Sequence, residues 1–131
     1  RSWYKKSWIR QVLHELSSEG FNVIITSDHG SIMVNDSAIV AADKNSSSGI
    51  RYKYGININS SEKKAIDIRN LKEYRLPILE ERTNYLIAKD NFFFLYPNEQ
   101  RKYKKLLENS FQHGGISIEE MLIPIFTMKP K

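Results

Sequence analysis

The stretch that decides the fold is residues 21–30, Phe21-Asn22-Val23-Ile24-Ile25-Thr26-Ser27-Asp28-His29-Gly30. Its first six residues are mostly apolar and rich in β-branched side chains, which is typical of a strand buried on both faces of a parallel sheet. The preceding residues 3–18 carry apolar side chains at the helical period, and Gly20 is placed to end that helix. A helix that leads into such a strand is half of an α/β unit, so the sequence predicts an α/β fold.

Outward from this unit, the sequence predicts short strands and one further long helix. The strands are predicted over 31–35, 38–42, 84–89, 92–96 and 122–128, and the helix over 99–110. The first two of these strands are predicted to pair as a hairpin, and so are the next two. Residues 50–82 have a polar and mixed composition, which predicts an excursion, a segment that leaves the main sheet and packs on it. Glu120 lies three residues after Ser117, which is a capping box, and we expect one compact unit without repeats or linkers.

Composition excludes several classes of protein. The 131 residues include 20 Lys+Arg against 15 Asp+Glu, a net charge of +5, and no cysteine. Disulfides, thiolate ligands and a cysteine nucleophile are therefore excluded, and 40% hydrophobic residues exclude a disordered tail. The longest apolar run, residues 92–96, is far short of the ~18 residues of a membrane span, so we expect a soluble, cytoplasmic protein without a membrane partner. The net positive charge favours anionic partners, but the sequence lacks the dense basic stripe that is typical of nucleic-acid binding.

Metal-ligating side chains lie at two places in this pattern. Asp28 and His29 directly follow the predicted strand, where ligand groups gather in α/β sheets. His113 stands before two glycines, which allow close approach of the backbone to a site. Carboxylate and imidazole together suit Zn²⁺, Mn²⁺ or Fe rather than Ca²⁺. The spacing alone leaves open a turn in which Asp28 caps the backbone and His29 is merely exposed.

A longer ordered series of residues carries a family resemblance. The matching segments are 26–30, Asp43-Lys44-Asn45, Arg51-Tyr52-Lys53, Phe92-Phe93, Tyr96-Pro97-Asn98, 111–121 and Ile123-Pro124. On these segments the sequence resembles the PglZ domain of the alkaline phosphatase superfamily over nearly the whole chain. It is most similar to the PglZ effector domain of Bacteroidetes response regulators, which are linked to control of type IX secretion.

The resemblance implies a two-metal phosphohydrolase. Asp28 and His29 would bind one metal ion and His113 the other, with Zn²⁺ as the expected ion and Mn²⁺ as the alternative. The implied fold is an alkaline-phosphatase-like mixed sheet flanked by helices, of which residues 1–131 would form the C-terminal part. The Thr or Ser nucleophile and the remaining ligands are expected upstream, so the chain is expected to be inactive alone.

The resemblance also implies a substrate and partners. Lys44, Arg51 and Lys53 would neutralise phosphate oxygens and Tyr52 or Tyr54 would stack on a base, so the expected substrate is a nucleotide-like phosphoester. A solvated loop is the alternative for these residues. The expected partners are the upstream part of the same domain, a receiver domain and a second copy of the chain. The second copy is expected because an exposed edge strand of one copy would pair with a strand of the other. The alternative function is a non-catalytic protein–protein interaction module.

Overall fold

The computed structural model describes residues 2–42 and 46–130, and these form a mixed α/β structure. The helices are α1 (Ser2–Lys6), α2 (Ile9–Ser18), α3 (Gln100–Leu107) and α4 (Ile118–Met121), with a 3₁₀ turn at Pro97–Glu99. The strands are β1 (Val23–Thr26), β2 (Ile32–Val34), β3 (Asp36–Ile39), β4 (Tyr52–Ile56), β5 (Ala65–Ile68), β6 (Thr83–Ala88), β7 (Phe92–Leu95), β8 (Ser110–Gln112) and β9 (Ile125–Met128). Where the sequence predicts one compact unit, the chain divides into two. Unit 1 holds the residues up to Asp28 and from Ile123 onward, and unit 2 holds residues 29–122.

Unit 1 corrects the prediction of a parallel, doubly buried strand. Strand β1 pairs antiparallel with β9, with Ile25 opposite Phe126. Side chains along β1 alternate between half-buried and exposed, and Ile24 is 67% exposed. The helix predicted over residues 3–18 is two helices, α1 and α2, which are separated at Ser7 and Trp8.

Unit 2 contains three of the four sheets that the described residues form. Strands β4, β6 and β5 make an antiparallel sheet with β6 in the centre, β2 pairs antiparallel with β8, and β3 pairs parallel with β7. Parallel and antiparallel pairs therefore both occur, as a mixed α/β fold requires. They lie in several small sheets rather than in the one mixed sheet that was predicted.

Both predicted hairpins are wrong, and the connections explain why. Only Asn35 separates β2 from β3, and one residue is too short to reverse the chain, since the tightest common hairpin loop has two residues. The chain instead runs on and changes partner from β8 to β7. Strand β6 cannot pair with β7 in its own sheet because β4 and β5 already occupy both of its edges.

The buried hydrophobic residues of the described chain all lie in unit 2, and most of them belong to two clusters that include residues of β7. Phe94 belongs to a cluster with Ala38, Ile58 and Leu86, whereas its neighbour Phe93 belongs to a second cluster. Successive side chains of a strand point to opposite faces, so β7 has apolar packing on both sides. This is why its sequence is an unbroken apolar run. Among the described residues, no helix is long and apolar enough to cross a membrane.

Candidate metal and phosphoester site

Two of the three predicted metal ligands meet in unit 2. The rings of His29 and His113 are stacked, with centroids 3.8 Å apart and an angle of 18° between their planes. The β2–β8 pair brings them together, because Ile32 at the start of β2 lies opposite Gln112 at the end of β8. His29 precedes the first strand and His113 follows the second, so both side chains leave the same end of an antiparallel ribbon.

The tautomer of His29 follows from its hydrogen bond. Its Nδ1 lies 2.8 Å from the carbonyl oxygen of Gly30, and a carbonyl oxygen can only accept, so Nδ1 donates. In the neutral ring the lone pair is then on Nε2, the nitrogen through which histidine commonly binds a metal. Both His29 and His113 are exposed, so a ligand can reach the pair from solvent.

The metal-donor set of the described residues is incomplete. Asp28 is exposed and is the last residue of unit 1 before the chain continues into unit 2. Within residues 2–42 and 46–130, no group of three or more His, Asp or Glu side chains could hold a metal ion. The kind of donor fits zinc, since imidazole and carboxylate are its usual nitrogen and oxygen ligands, but four ligands are needed for a closed site.

Beside the histidine pair lies a buried ion pair that links separate parts of unit 2. Arg51 Nε donates to Glu120 Oε1 at 3.0 Å, and its Nη2 donates to Oε2 at 2.9 Å. The side chains are 0% and 2% exposed. Arg51 Nη1 also donates to the carbonyl oxygen of Phe92 in β7. The two-pronged geometry is the strongest form of an arginine–carboxylate contact, and here it ties α4 to the core.

The Glu120 carboxylate also accepts hydrogen bonds from two main-chain amides. These are the N–H groups of Gly115 at 2.8 Å and Ser117 at 3.2 Å, the second being the reciprocal contact of the predicted capping box, which is confirmed. Burial alone would raise the pKa of Glu120, but the hydrogen bonds from Arg51, Gly115 and Ser117 outweigh it and lower the pKa to about 2. Glu120 is therefore ionised at neutral pH.

Two glycines allow the histidine loops to approach this glutamate. The Gly30 N–H donates to the main-chain oxygen of Glu120 at 3.0 Å, and a Cβ on Gly30 would stand 1.9 Å from the Glu119 oxygen. A Cβ on Gly115 would stand 2.6 Å from Glu120 Oε2. Any larger residue at either position would force the loop away, so both positions require glycine in this arrangement.

The predicted substrate-binding residues have different surroundings. Arg51 is fully buried in its ion pair, and Lys53, 2% exposed, donates to the Ser47 carbonyl at 3.1 Å and lies 4.2 Å from the centre of the Tyr96 ring. Both cations therefore bind protein atoms, which corrects the expectation that they face phosphate oxygens. Lys44 lies outside the described residues.

Tyr52 is the predicted substrate residue that remains accessible. It is 41% exposed, and its Cδ1 lies 3.2 Å from where a Cβ on Gly114 would stand. Gly114 directly follows His113, so the Tyr52 ring flanks the loop that carries this histidine. The absence of a side chain at Gly114 leaves the ring room there.

Comparison with known families gives a match over nearly the whole chain. A family model described as the BREX system PglZ alkaline phosphatase-like domain matches residues 2–128. The chain belongs to the PglZ family. The match includes every described residue of the candidate site, and it confirms the resemblance to the PglZ domain. No curated protein matches the chain.

Sequence reasoning missed the main role of Glu120 in this PglZ domain. The spacing of Ser117 and Glu120 predicts a helix cap, and the cap is present. The contact with Arg51, which is 69 residues away in the chain, leaves no local signal. The two glycines after His113 are the one local hint that another group approaches this loop closely.

Proposed function

We propose that this PglZ chain contributes to a metal-dependent phosphohydrolase site that cleaves nucleotide-like phosphoesters. The observation that carries the proposal is the stacked pair of His29 and His113 at the end of the β2–β8 ribbon. Family membership supports a hydrolase, since the matching family is alkaline phosphatase-like. In this proposal the chain is the effector part of a cytoplasmic response regulator that controls secretion.

The spacing of the rings supports a site with two metal ions. The rings are nearly parallel with centroids 3.8 Å apart, which is close to the separation of about 4 Å between paired catalytic metals. His29, together with the neighbouring Asp28, would hold one ion, and His113 would hold the other. Zn²⁺ fits these donors best and Mn²⁺ is the alternative. Bound there, the ions would stabilise the charge that develops on the attacking and leaving oxygens.

Residues of this chain would orient ligands and substrate rather than attack phosphorus. The Gly30 carbonyl holds the His29 proton on Nδ1, and Tyr52 offers an exposed ring on which a base can stack. Thr26 is bound internally, because its hydroxyl donates to the Pro124 carbonyl at 3.0 Å. Thr26 is therefore not assigned as the nucleophile in this proposal.

The test is hydrolysis of a chromogenic phosphodiester by the complete parent protein, with Zn²⁺ and with a chelator. We expect turnover that requires metal and falls at least about 100-fold in His113→Ala and Asp28→Asn, since each removes a ligand. His14→Ala is the matched control, because His14 is an exposed histidine of α2. Retained turnover in both ligand variants would refute the proposal.

A second candidate function, a non-catalytic interaction module, is favoured by exposed apolar side chains. In unit 2 these include Ile118 and Met121 of α4 and the adjoining Leu122, which are 71%, 64% and 70% exposed. Contiguous exposed apolar surface marks interaction sites, and here it would meet the receiver domain, the upstream part of the domain or a second copy. Absence of turnover with either metal, together with concentration-dependent light scattering, would favour this function over hydrolysis.

A further inference from the structure

We propose that Glu120 is the positioning residue of the histidine pair: its main-chain oxygen and its carboxylate hold the loops of His29 and His113 against each other. The ring stacking follows from the structure alone, whereas its effect on metal affinity rests on the proposed function. Glu120 itself touches neither ring nor substrate in this proposal.

Glu120 binds both loops, through different atoms. Its main-chain oxygen accepts from Gly30 at 3.0 Å, next to His29. Its carboxylate accepts from Gly115 at 2.8 Å, two residues after His113. One residue therefore joins two loops that are more than eighty residues apart in the chain.

Glu120 itself is held in a fixed position. Arg51 holds its carboxylate with two hydrogen bonds, and the same guanidinium donates to Phe92 in β7, the central strand of the core. The ion pair is excluded from solvent, at 0% and 2% exposure. The two histidine loops are therefore held in place by the buried core and not by surface contacts.

The β2–β8 ribbon alone is too small to set the stacking of the two rings. Strands β2 and β8 pair over three residues each, and a two-stranded ribbon of that length is marginal by itself. The histidines lie beyond its end and are exposed. A buried anchor that accepts hydrogen bonds from both loops supplies the restraint that three residue pairs do not.

Glu120→Gln is the informative substitution because it keeps the shape of the side chain. The amide has one acceptor oxygen instead of two and loses the charge that pairs with Arg51. The main-chain contact with Gly30 is kept, whereas the carboxylate contacts with Arg51, Gly115 and Ser117 are weakened. We therefore expect the His113 loop to move relative to the His29 loop.

The experiment measures two properties of the 131-residue chain under conditions where every variant is folded. Nuclear Overhauser contacts between the two imidazole rings report the stacking without metal. Titration with Zn²⁺ alone, in competition with a chromophoric chelator, reports affinity. We expect Glu120→Gln to lose the ring contacts and to bind Zn²⁺ about 10- to 100-fold more weakly, as for other residues that orient metal ligands.

Asn84→Ala is the matched control. It removes a buried side chain whose hydrogen bonds go to Ile58 and Asp67 and not to the histidine loops. It lowers stability without touching the loops, so it should keep both the ring contacts and the affinity. If Asn84→Ala loses them as Glu120→Gln does, the effect is general destabilisation and the proposal is overturned. If Glu120→Gln does not fold, Gly115→Ala replaces it, since its added Cβ would displace the same loop.

The outcomes separate this proposal from the proposed function. Ring contacts that are lost in Glu120→Gln while the unaltered chain binds no Zn²⁺ would support positioning, because these contacts are measured without metal, and the metal site would then be decided by the hydrolysis assay of the parent protein. Zn²⁺ binding that is equal in the unaltered chain and in Glu120→Gln, with intact ring contacts, would overturn positioning and leave the metal site standing.

Discussion

Removal of the Arg51 charge tests the energetics of the buried ion pair. Arg51→Met leaves the Glu120 carboxylate, 2% exposed, with amide donors but without a counter-charge. Breaking a buried pair in this way costs about 3–5 kcal/mol of the free energy of unfolding. Glu120→Leu should cost a similar amount, because it leaves a fully buried guanidinium whose other acceptor is the Phe92 carbonyl.

The double variant Arg51→Met/Glu120→Leu should be less destabilised than the sum of the two. It removes both charges and leaves three main-chain groups, at Phe92, Gly115 and Ser117, without these partners. At about 1 kcal/mol each the loss is roughly 3 kcal/mol, against about 8 kcal/mol for the summed single variants. The coupling energy is therefore about 5 kcal/mol in favour of the pair.

The assay is urea unfolding followed by circular dichroism. With a slope of about 2 kcal/mol/M, each single variant should lower the midpoint by about 2 M. Arg69→Met is the control, since Arg69 pairs with Asp67 at 2.7 Å but is 58% exposed, and its loss should cost under about 1 kcal/mol. The energetics assigned to the ion pair are refuted if the losses of unfolding free energy in the two single variants add up in the double variant. They are also refuted if neither single variant is less stable than Arg69→Met.

Three further predictions follow from particular contacts. Gly30→Ala should lower the unfolding midpoint and separate the imidazole rings, because its Cβ would stand 1.9 Å from the Glu119 oxygen; unchanged ring contacts by NMR would contradict this. Asn84→Ala should cost about 1–3 kcal/mol in urea unfolding, since it leaves the N–H and C=O of Ile58 unpaired, and a change under about 0.5 kcal/mol would count against it. The pKa of Glu120 is lowered from 4.5 to about 2. The ionised carboxylate therefore stabilises the folded state above pH 4.5, and this stabilisation is lost as the pH falls toward 2. Acid titration of unfolding should therefore be flatter in Glu120→Gln, and equal slopes would contradict the assignment.

Some features of this fold are local and were predictable. The strands at Val23–Thr26 and Phe92–Leu95 follow runs of β-branched or aromatic residues, and the cap at Ser117–Glu120 follows from Glu120 lying three residues after Ser117. Residues 50–82, in contrast, hold strands β4 and β5, where the polar composition predicted an excursion. These strands have few buried positions, so their sequence shows little of the apolar signal on which strand prediction depends.

The sequence by itself determined the family and the mixed α/β class, because these depend on motifs and on short-range patterns. Only the tertiary structure decided which strands pair, and it also decided that His29 meets His113 and that Arg51 faces Glu120. Charge on a residue does not reveal whether a partner far away in the chain will bury it. Arg51 and Lys53 therefore suggested phosphate ligands in the sequence, whereas folding encloses both among protein acceptors.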